Sequence, residues 1–524
     1  MMRKLFLHIL ASIFMIACGP QESYDLIITN GLIYDGTTNE PQINDLGIIG
    51  DKIVKIGRLH DKKFIQKIDA SGHVVSPGFI DVHAHVEDIM RSPVGESAIK
   101  QGITLVLGGP DGGGPSPMQD YLDTLSKHAL GMNMAYLVGH NTIRKRVMQT
   151  DNRPPTPEEL EEMKVMVKEA MDAGAFGIST GLKYVPGSFS NVAEVIELAK
   201  VASASKGIYT SHLREEGLGL LEAVQEAIMI GRAADIPIVL THHKAIGKPM
   251  WGASVKTLAM VDSARAIGLD IMMDQYPYTA SSTGISVLIP NWARAGGQEA
   301  FKKRLEDPAT RAQIVDDIMF NIEFDRGGAQ LDVVQFAFVS WKPDLNGKTL
   351  KDWAIERGLS PTFKNGAELV IEAQLNGGAS CIFHAIHEDD VKRIMQHPMT
   401  MVASDGRLAY IGEGHPHPRA YGTFPRVLGY YVRELGVLDL QSALRKMTSI
   451  PAGRLGLTDR GYLKEGMKAD ITIFNPETVI DKSTFVDPHH YPEGIEYVIV
   501  NGQVTIQEGV LTEKRGGQVL RKGK

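Results

Sequence analysis

Imidazoles and carboxylates stand at the ends of five apolar segments that lie far apart in the chain. His83 and His85 close "FIDVHAH", Asp111 follows "LVLGG", His212 closes "IYTSH", His242 lies in "IVLTHHK" and Asp405 closes "MVASD". Imidazole nitrogen combined with carboxylate oxygen suits a borderline divalent cation such as zinc. Taken singly, each residue has an ordinary explanation, since a histidine at a strand end usually hydrogen-bonds structure and an aspartate caps a turn. Five segment ends offering ligand types in one chain outweigh that explanation and predict a metal centre. Side chains alternate along a strand, so His83 and His85 should face one way, while His243, beside His242, should face away and be structural. His140 in "VGHNTIR", and Arg214 with Glu215 in "HLREE", read as residues that orient the ligands rather than react. The glycines around Asp111 are not a phosphate cradle, because neither the Gly-Lys-Ser/Thr ending nor the spaced dinucleotide glycines are present.

Such residues must be brought together by the elements that precede them. Apolar runs recur through the middle of the chain: "GFIDVHAH", "TLVLGG", "MNMAYLVGH", "FGISTG", "GIYTSH", "IPIVLTHHK", "LDIMMDQYP" and "MTMVASD". Helical patterns such as "TPEELEEMKVMVKEAMDAG" separate several of them, with Thr156 as the expected cap and Gly174 as the expected stop. Eight strands alternating with helices predict an α/β fold, a (β/α)8 TIM-like barrel, in which chemistry gathers at the C-terminal strand ends. The barrel is expected over residues 79–455, with an inserted subdomain at about 287–375, a stretch too long for one barrel connection. Short β patterns with Asn-Gly and Gly-Asp turns occupy both ends, and predict one small β-sandwich domain from residues 19–78 and 456–524.

The chain has 524 residues and a formal net charge of -7. No basic stripe offers counterion release, so nucleic acid is not expected as a partner. The basic tail, with Lys514, Arg515, Arg521, Lys522 and Lys524, reads as a solvated end. Residues 1–18 read as a lipoprotein-type signal peptide: Arg3 and Lys4 precede the apolar run Leu5 to Ile16, and "MIAC" ends at Cys18. A lipid on Cys18 would make this an exported protein held at the bacterial cell envelope, touching the membrane only through that anchor. Cys381 would then be the single thiol of the folded body, too few for an intrachain disulfide.

"SPGFIDVHAH" followed by "GIT" resembles the opening of the amidohydrolase superfamily. The finer resemblance is to the D-aminoacylases, the N-acyl-D-amino-acid deacylases. It rests on "STGLKYVPG", "YTSHLREEG", "LTHHK", "DQYPYTASST" and "HPRAYGTFPRVLGYYVRE", and runs through almost the whole mature chain. The resemblance implies a metal-dependent hydrolase that cleaves small N-acyl-D-amino acids, with one or two zinc ions as cofactor. It implies His83, His85, His212, His242 and Asp405 as metal ligands, and Asp405 as the group that takes a proton from water and returns it to the departing amine. Matching "GITLVLGGPDGG" to the family's "GNCG" setting puts Asp111 where relatives carry a ligating cysteine. A carboxylate there can bind or bridge zinc, and its harder oxygen also admits manganese. Lys244, Tyr276, Ser282 and Arg419 are implied as anchors for the substrate's free α-carboxylate. Dihydroorotases and hydantoinases of the same superfamily bridge two metals with a carboxylated lysine, whereas Lys183 here follows a Ser-Thr-Gly turn and reads as loop or substrate-facing. The alternatives are a cyclic amidase or dipeptidase of the same superfamily, and a non-catalytic lipid-anchored binding protein, against which the intact ligand set argues. The residues say nothing of oligomeric state.

Overall fold

The computed structural model describes residues 23–523 except 60 and 329. The signal-peptide reading, including lipidation of Cys18, therefore concerns residues outside those described. Eight parallel strands form the barrel, beginning with Phe79–Asp81 and Ile103–Gly108. The third strand is formed by Asn133–Tyr136 and Val138–Gly139, and Gly177–Gly181, Ile208–His212, Ile238–Leu240, Ile271–Gln275 and Thr400–Val402 follow. Each neighbouring pair from the first strand to the eighth runs parallel. Closure is polar: Ser404 N donates to Asp81 Oδ1 at 3.0 Å, Asp405 N donates to the His83 carbonyl at 2.8 Å, and Gly406 pairs with Ala84.

The reason for this arrangement is visible in the side chains. Leu105 and Leu107, two apart on one strand, join Ile80, Ala135, Leu137, Val239 and Met401 in a single buried cluster, whereas Ile103 and Val106 pack with residues of the surrounding helices. The helix Pro157–Ala173 starts and stops at the expected residues. Thr156 and Glu159 form a reciprocal capping box, and Gly174 ends the helix at φ 109°.

The strands of both termini meet in one nine-stranded mixed sheet, the β-sandwich unit. Its junction is the antiparallel pairing of Ile471–Phe474 with Val74–Pro77. The basic tail departs from the expected solvated end. Leu520 N donates to the Met134 carbonyl, Lys522 N to the Gly174 carbonyl, and Arg521 pairs with Asp123. Backbone hydrogen bonds thus tie the tail across the base of the barrel, which its charge content did not reveal.

Between strands seven and eight the chain builds a separate unit. Ser281–Gly284, Val334–Phe338 and Ser380–Phe383 make a three-stranded antiparallel sheet, backed by helices including Pro308–Phe320 and Phe363–Leu375. Its core, with Leu288, Ile318, Phe336, Trp353 and Phe383, is distinct from that of the barrel. The unit is wider than the expected 287–375, because Ser281–Gly284 and Ser380–Phe383 pair with each other across the whole insertion. No helix among the described residues is long and apolar enough to cross a membrane.

Candidate metal centre

Asp111, His242 and Asp405 occupy the left-handed backbone region, at φ 53°, 37° and 47°. Non-glycine residues reach this region rarely and at a cost, so three at one barrel mouth mark a functional constraint. For Asp111 the glycines provide the path. Gly109 and Gly112 also have positive φ, and a Cβ on Gly109 would lie 2.5 Å from the Leu137 carbonyl oxygen. The loop can therefore fold flat over the strand ends, where the Ser179 hydroxyl accepts from Gly112 N and donates to the Gly109 carbonyl. At His242 the bend is held by Asp274, whose Oδ1 accepts from His242 N at 2.6 Å and whose carbonyl accepts from His243 N at 2.7 Å.

Six side chains converge. Asp405 Oδ1 lies 3.5 Å from His83 Nε2 and 3.2 Å from His85 Nε2. Asp111 Oδ1 lies 3.4 Å from both His83 Nε2 and His242 Nε2, while its Oδ2 lies 3.4 Å from His212 Nδ1 and 3.6 Å from His85 Nε2. The ligand atoms form two sets, His83–His85–Asp111–Asp405 and Asp111–His212–His242, each gathered within 4.8 Å. Asp111 belongs to both. This is a binuclear metal-binding site with a carboxylate as the shared member.

The donor set fits divalent cations. Both nitrogens of the buried His83 ring, and Asp111 Oδ1, have no hydrogen-bond partner, although buried polar atoms are nearly always satisfied. His212 Nδ1 and His242 Nε2 face each other at 2.7 Å, so both rings turn a nitrogen toward the Asp111 carboxylate. The charges agree. Burial alone would raise the carboxyl of Asp405, yet the Arg419 guanidinium and the neighbouring imidazoles hold it well below the usual range. Asp111 is likewise held low against burial by His83, His242 and His212. Burial and the Lys244 ammonium work against a charged His242, and the carboxylates of Asp111, Asp405 and Glu216 still raise it to about 9. The acids thus favour positive charge at this point, which a metal ion supplies.

A ring of partners orients the ligands. Asp81, pushed up to about 6 by burial, accepts from His83 N at 3.2 Å and from the Ser404 hydroxyl. Glu87 accepts from His85 Nδ1 at 3.1 Å. Glu216 Oε1 lies 3.1 Å from His242 Nδ1 and also takes the Lys244 ammonium. A carboxylate on one imidazole nitrogen leaves the other free to bind metal.

Glu216, rather than Glu215, is thus the acid of "HLREEG" at the ligands, and no local pattern separates these two adjacent acids. Glu215 pairs with Lys183 at 2.6 Å, and Arg214 pairs with Glu226. Neither touches a metal-ligand side chain. His140 also turns elsewhere, to Glu194 at 2.8 Å, because it opens the helix His140–Met148 instead of ending a strand toward the axis. His243 faces away as expected, bonding the Thr257 hydroxyl, and burial lowers it to about 3. Lys183 is held by Glu215 and Asp325, so it bridges nothing.

A cavity of about 280 Å³ opens over the ligands. Lys244, Ser282 and Arg419 line it. Arg419 lies 2.8 Å from Asp405 Oδ2 and donates to the Ser282 carbonyl. Lys244 is engaged by Glu216 and by the His242 carbonyl. Tyr276 lies behind this wall, its ring 4.6 Å from the Arg419 guanidinium carbon and its buried hydroxyl without a partner. Arg326, contributed by the insertion, and Tyr184 also line the cavity, and neither stood out in the sequence. Arg326 lies in a segment whose local pattern carries no catalytic signature, and Tyr184 lies in "STGLKYVPG", where Lys183 drew the attention.

A sequence model of the Amidohydrolase family matches residues 66–506. The chain is 35% identical over 526 residues to the D-aminoacylase of Alcaligenes xylosoxydans xylosoxydans, covering 95% of this chain and 98% of that protein. It is 36% identical over 529 residues to the N-acyl-D-glutamate deacylase of the same organism, covering 96% and 97%. Among solved structures, the N-acyl-D-glutamate deacylase from Bordetella bronchiseptica, complexed with zinc and a phosphonate inhibitor, superposes with a TM-score of 0.82. That pair shares 35% identity over 95% of this chain and all of the other. With its closed parallel barrel, terminal β-sandwich and histidine–aspartate centre, this chain belongs to the amidohydrolase family, in the branch of the D-aminoacylases.

Proposed function

We propose that this protein hydrolyses the amide bond of N-acyl-D-amino acids, giving a carboxylate and a free D-amino acid. The observation that carries the reading is the convergence of His83, His85, Asp111, His212, His242 and Asp405 on one point, beside Arg419 and Ser282 in the cavity wall. Those six side chains would hold one or two zinc ions, and the oxygen of Asp111 in place of a thiolate admits manganese as well. Zinc held there supplies Lewis-acid chemistry, polarising the amide carbonyl and making water more acidic. Asp405 is ionised and faces the ligands, so it can accept the proton of the attacking water and return it to the amine as the C–N bond breaks. Arg419, with Ser282 beside it and Tyr276 behind it, presents charge-assisted donors to the α-carboxylate. Lys244 serves the site through Glu216 and adds positive charge at the same wall.

A cyclic amidase with a lysine bridge is disfavoured by the pairing of Lys183 with Glu215 and Asp325, and by Asp111 filling the shared position. A panel of N-acetyl amino acids in both enantiomers, assayed with the zinc-loaded protein, tests the reading. Cleavage of D-substrates is expected, and cleavage of L-substrates alone would reject it.

The same reading extends to location. The run ending in "MIAC" supports lipidation at Cys18 and attachment at the cell envelope. Incorporation of labelled fatty acid into the wild type and not into Cys18→Ala is the expected result; equal labelling of both would overturn it.

A further inference from the structure

We infer that the cavity holds a second anion site, built around Arg326, that selects substrates carrying a second carboxylate. The inference rests on the deacylase reading above and concerns what that reading leaves open. Relatives of nearly equal similarity are a D-aminoacylase and an N-acyl-D-glutamate deacylase, so similarity does not choose between them.

Arg326 has its side chain 2% exposed and lies in the cavity wall. Its Nη1 donates to Glu216 Oε2 at 3.4 Å, a long bond to an acid already shared with Lys244 and His242. Its Nε lies 3.4 Å from Asp325, an acid that also takes Lys183, without the alignment of a hydrogen bond. Nε and Nη2 therefore have no acceptor. A guanidinium with two buried N–H groups unsatisfied is costly unless a ligand completes it.

The neighbouring groups on this wall are donors too. The Thr283 hydroxyl donates to Tyr184 Oη at 3.1 Å, which leaves the Tyr184 hydrogen for another acceptor. The Ser281 hydroxyl, which also lines the cavity, has no partner. Arg326, Tyr184 and Ser281 each keep a hydrogen free to donate here, which fits a group that only accepts, and a planar fork of N–H groups matches a carboxylate. This site differs from the α-carboxylate wall. Arg326 joins the cavity at Glu216 on the His212–His242 side, whereas Arg419 joins it at Asp405. Arg326, Ser281 and Thr283 come from the inserted unit, so the insertion tunes selectivity over a barrel that supplies the chemistry.

The second carboxylate can sit on the D-residue's side chain or on the acyl chain, and two substrate pairs separate these sources. The first pair is N-acetyl-D-glutamate against N-acetyl-D-glutamine. The second is N-succinyl-D-leucine against N-butanoyl-D-leucine. In the zinc-loaded wild type, kcat/KM should favour the dianionic member of one pair by roughly 100-fold, the scale of a charged hydrogen-bonded pair. Arg326→Gln should bring that ratio to within about threefold, because kcat/KM for the dianionic member falls far more than for the neutral one. Arg326→Lys, which keeps charge without the fork, should retain an intermediate ratio and guards against a failure of Arg326→Gln to fold. A purely structural role would lower both members alike in both variants. That result overturns the inference, as does a wild type with no preference in either pair or a preference that survives both substitutions. A wild type that cleaves no D-substrate at all would instead overturn the deacylase reading.

Discussion

The two ends of the barrel use unusual backbone and buried charge for different purposes. At the base, left-handed residues end helices: Asp235, at φ 48°, is the C-cap of Leu220–Ala234. Buried cations there find acceptors. Lys446 donates to the His397 and Thr400 carbonyls, and Arg454 to Asp270. At the mouth the left-handed residues are themselves ligand candidates, Asp111, His242 and Asp405. Polar atoms there stay orphaned on the ligand candidates His83, Asp111 and His212 and on Tyr276 and Arg326 beside them. One end follows the rules of a stable fold and the other breaks them where cation and substrate belong. A mouth left incomplete by the protein alone is what a binding and catalytic site requires.

Substitutions should separate the two ends. Asp111→Ala removes the carboxylate common to both ligand sets. Metal analysis should find at least one ion fewer per chain, and turnover should fall on the order of a thousandfold. Asp405→Asn keeps the size and an oxygen but removes the proton acceptor. Most of the metal should stay while kcat drops by about 10²–10⁴-fold, read from steady-state kinetics beside metal content.

The base should answer in stability instead. Burial lowers Lys446 to about 8 from its ordinary 10.5, so between those values the unfolded chain binds more protons than the folded one. Wild-type stability should therefore rise with pH through that window and stay level below it. Relative to Lys446→Met, the gain should reach on the order of 3 kcal/mol, measured by denaturant unfolding at several pH values. Taking the difference between the two proteins cancels groups common to both, such as Tyr209, raised to about 12. Turnover at pH 7 should be nearly unchanged in this variant. The smallest effect is expected at Glu216→Gln, which spares the ligands but weakens the carboxylate behind His242. Zinc affinity should fall by about 10–100-fold, read by competition with a chelator.

Much of this mouth was legible in the chain. Strand-like runs ending in His or Asp betray it, because a barrel strand is apolar along its length and polar where it emerges. The capping residues Thr156 and Gly174 were legible for a similar reason: they act on their own helix within one turn. What stayed hidden depends on distant contacts. Glu215 and Glu216 are adjacent and chemically alike, and only packing sends one to His242 and the other to Lys183. Arg326 comes from a unit whose bounding strands pair across the insertion, so nothing near it in the chain announces the cavity. His140 read as a residue that orients the ligands, yet a helix begins at that residue and carries the ring to Glu194.

The account rests on Asp111 as the shared ligand. The direct measurement is a crystal structure of the zinc-loaded protein with anomalous data at the zinc edge. The account predicts zinc at the barrel mouth with an Asp111 carboxylate oxygen within about 2.0–2.2 Å of it, and, where two ions bind, one oxygen or both joining them. Zinc held by His83, His85, His212 or His242 with Asp111 turned away and bonded only to its own loop would contradict it.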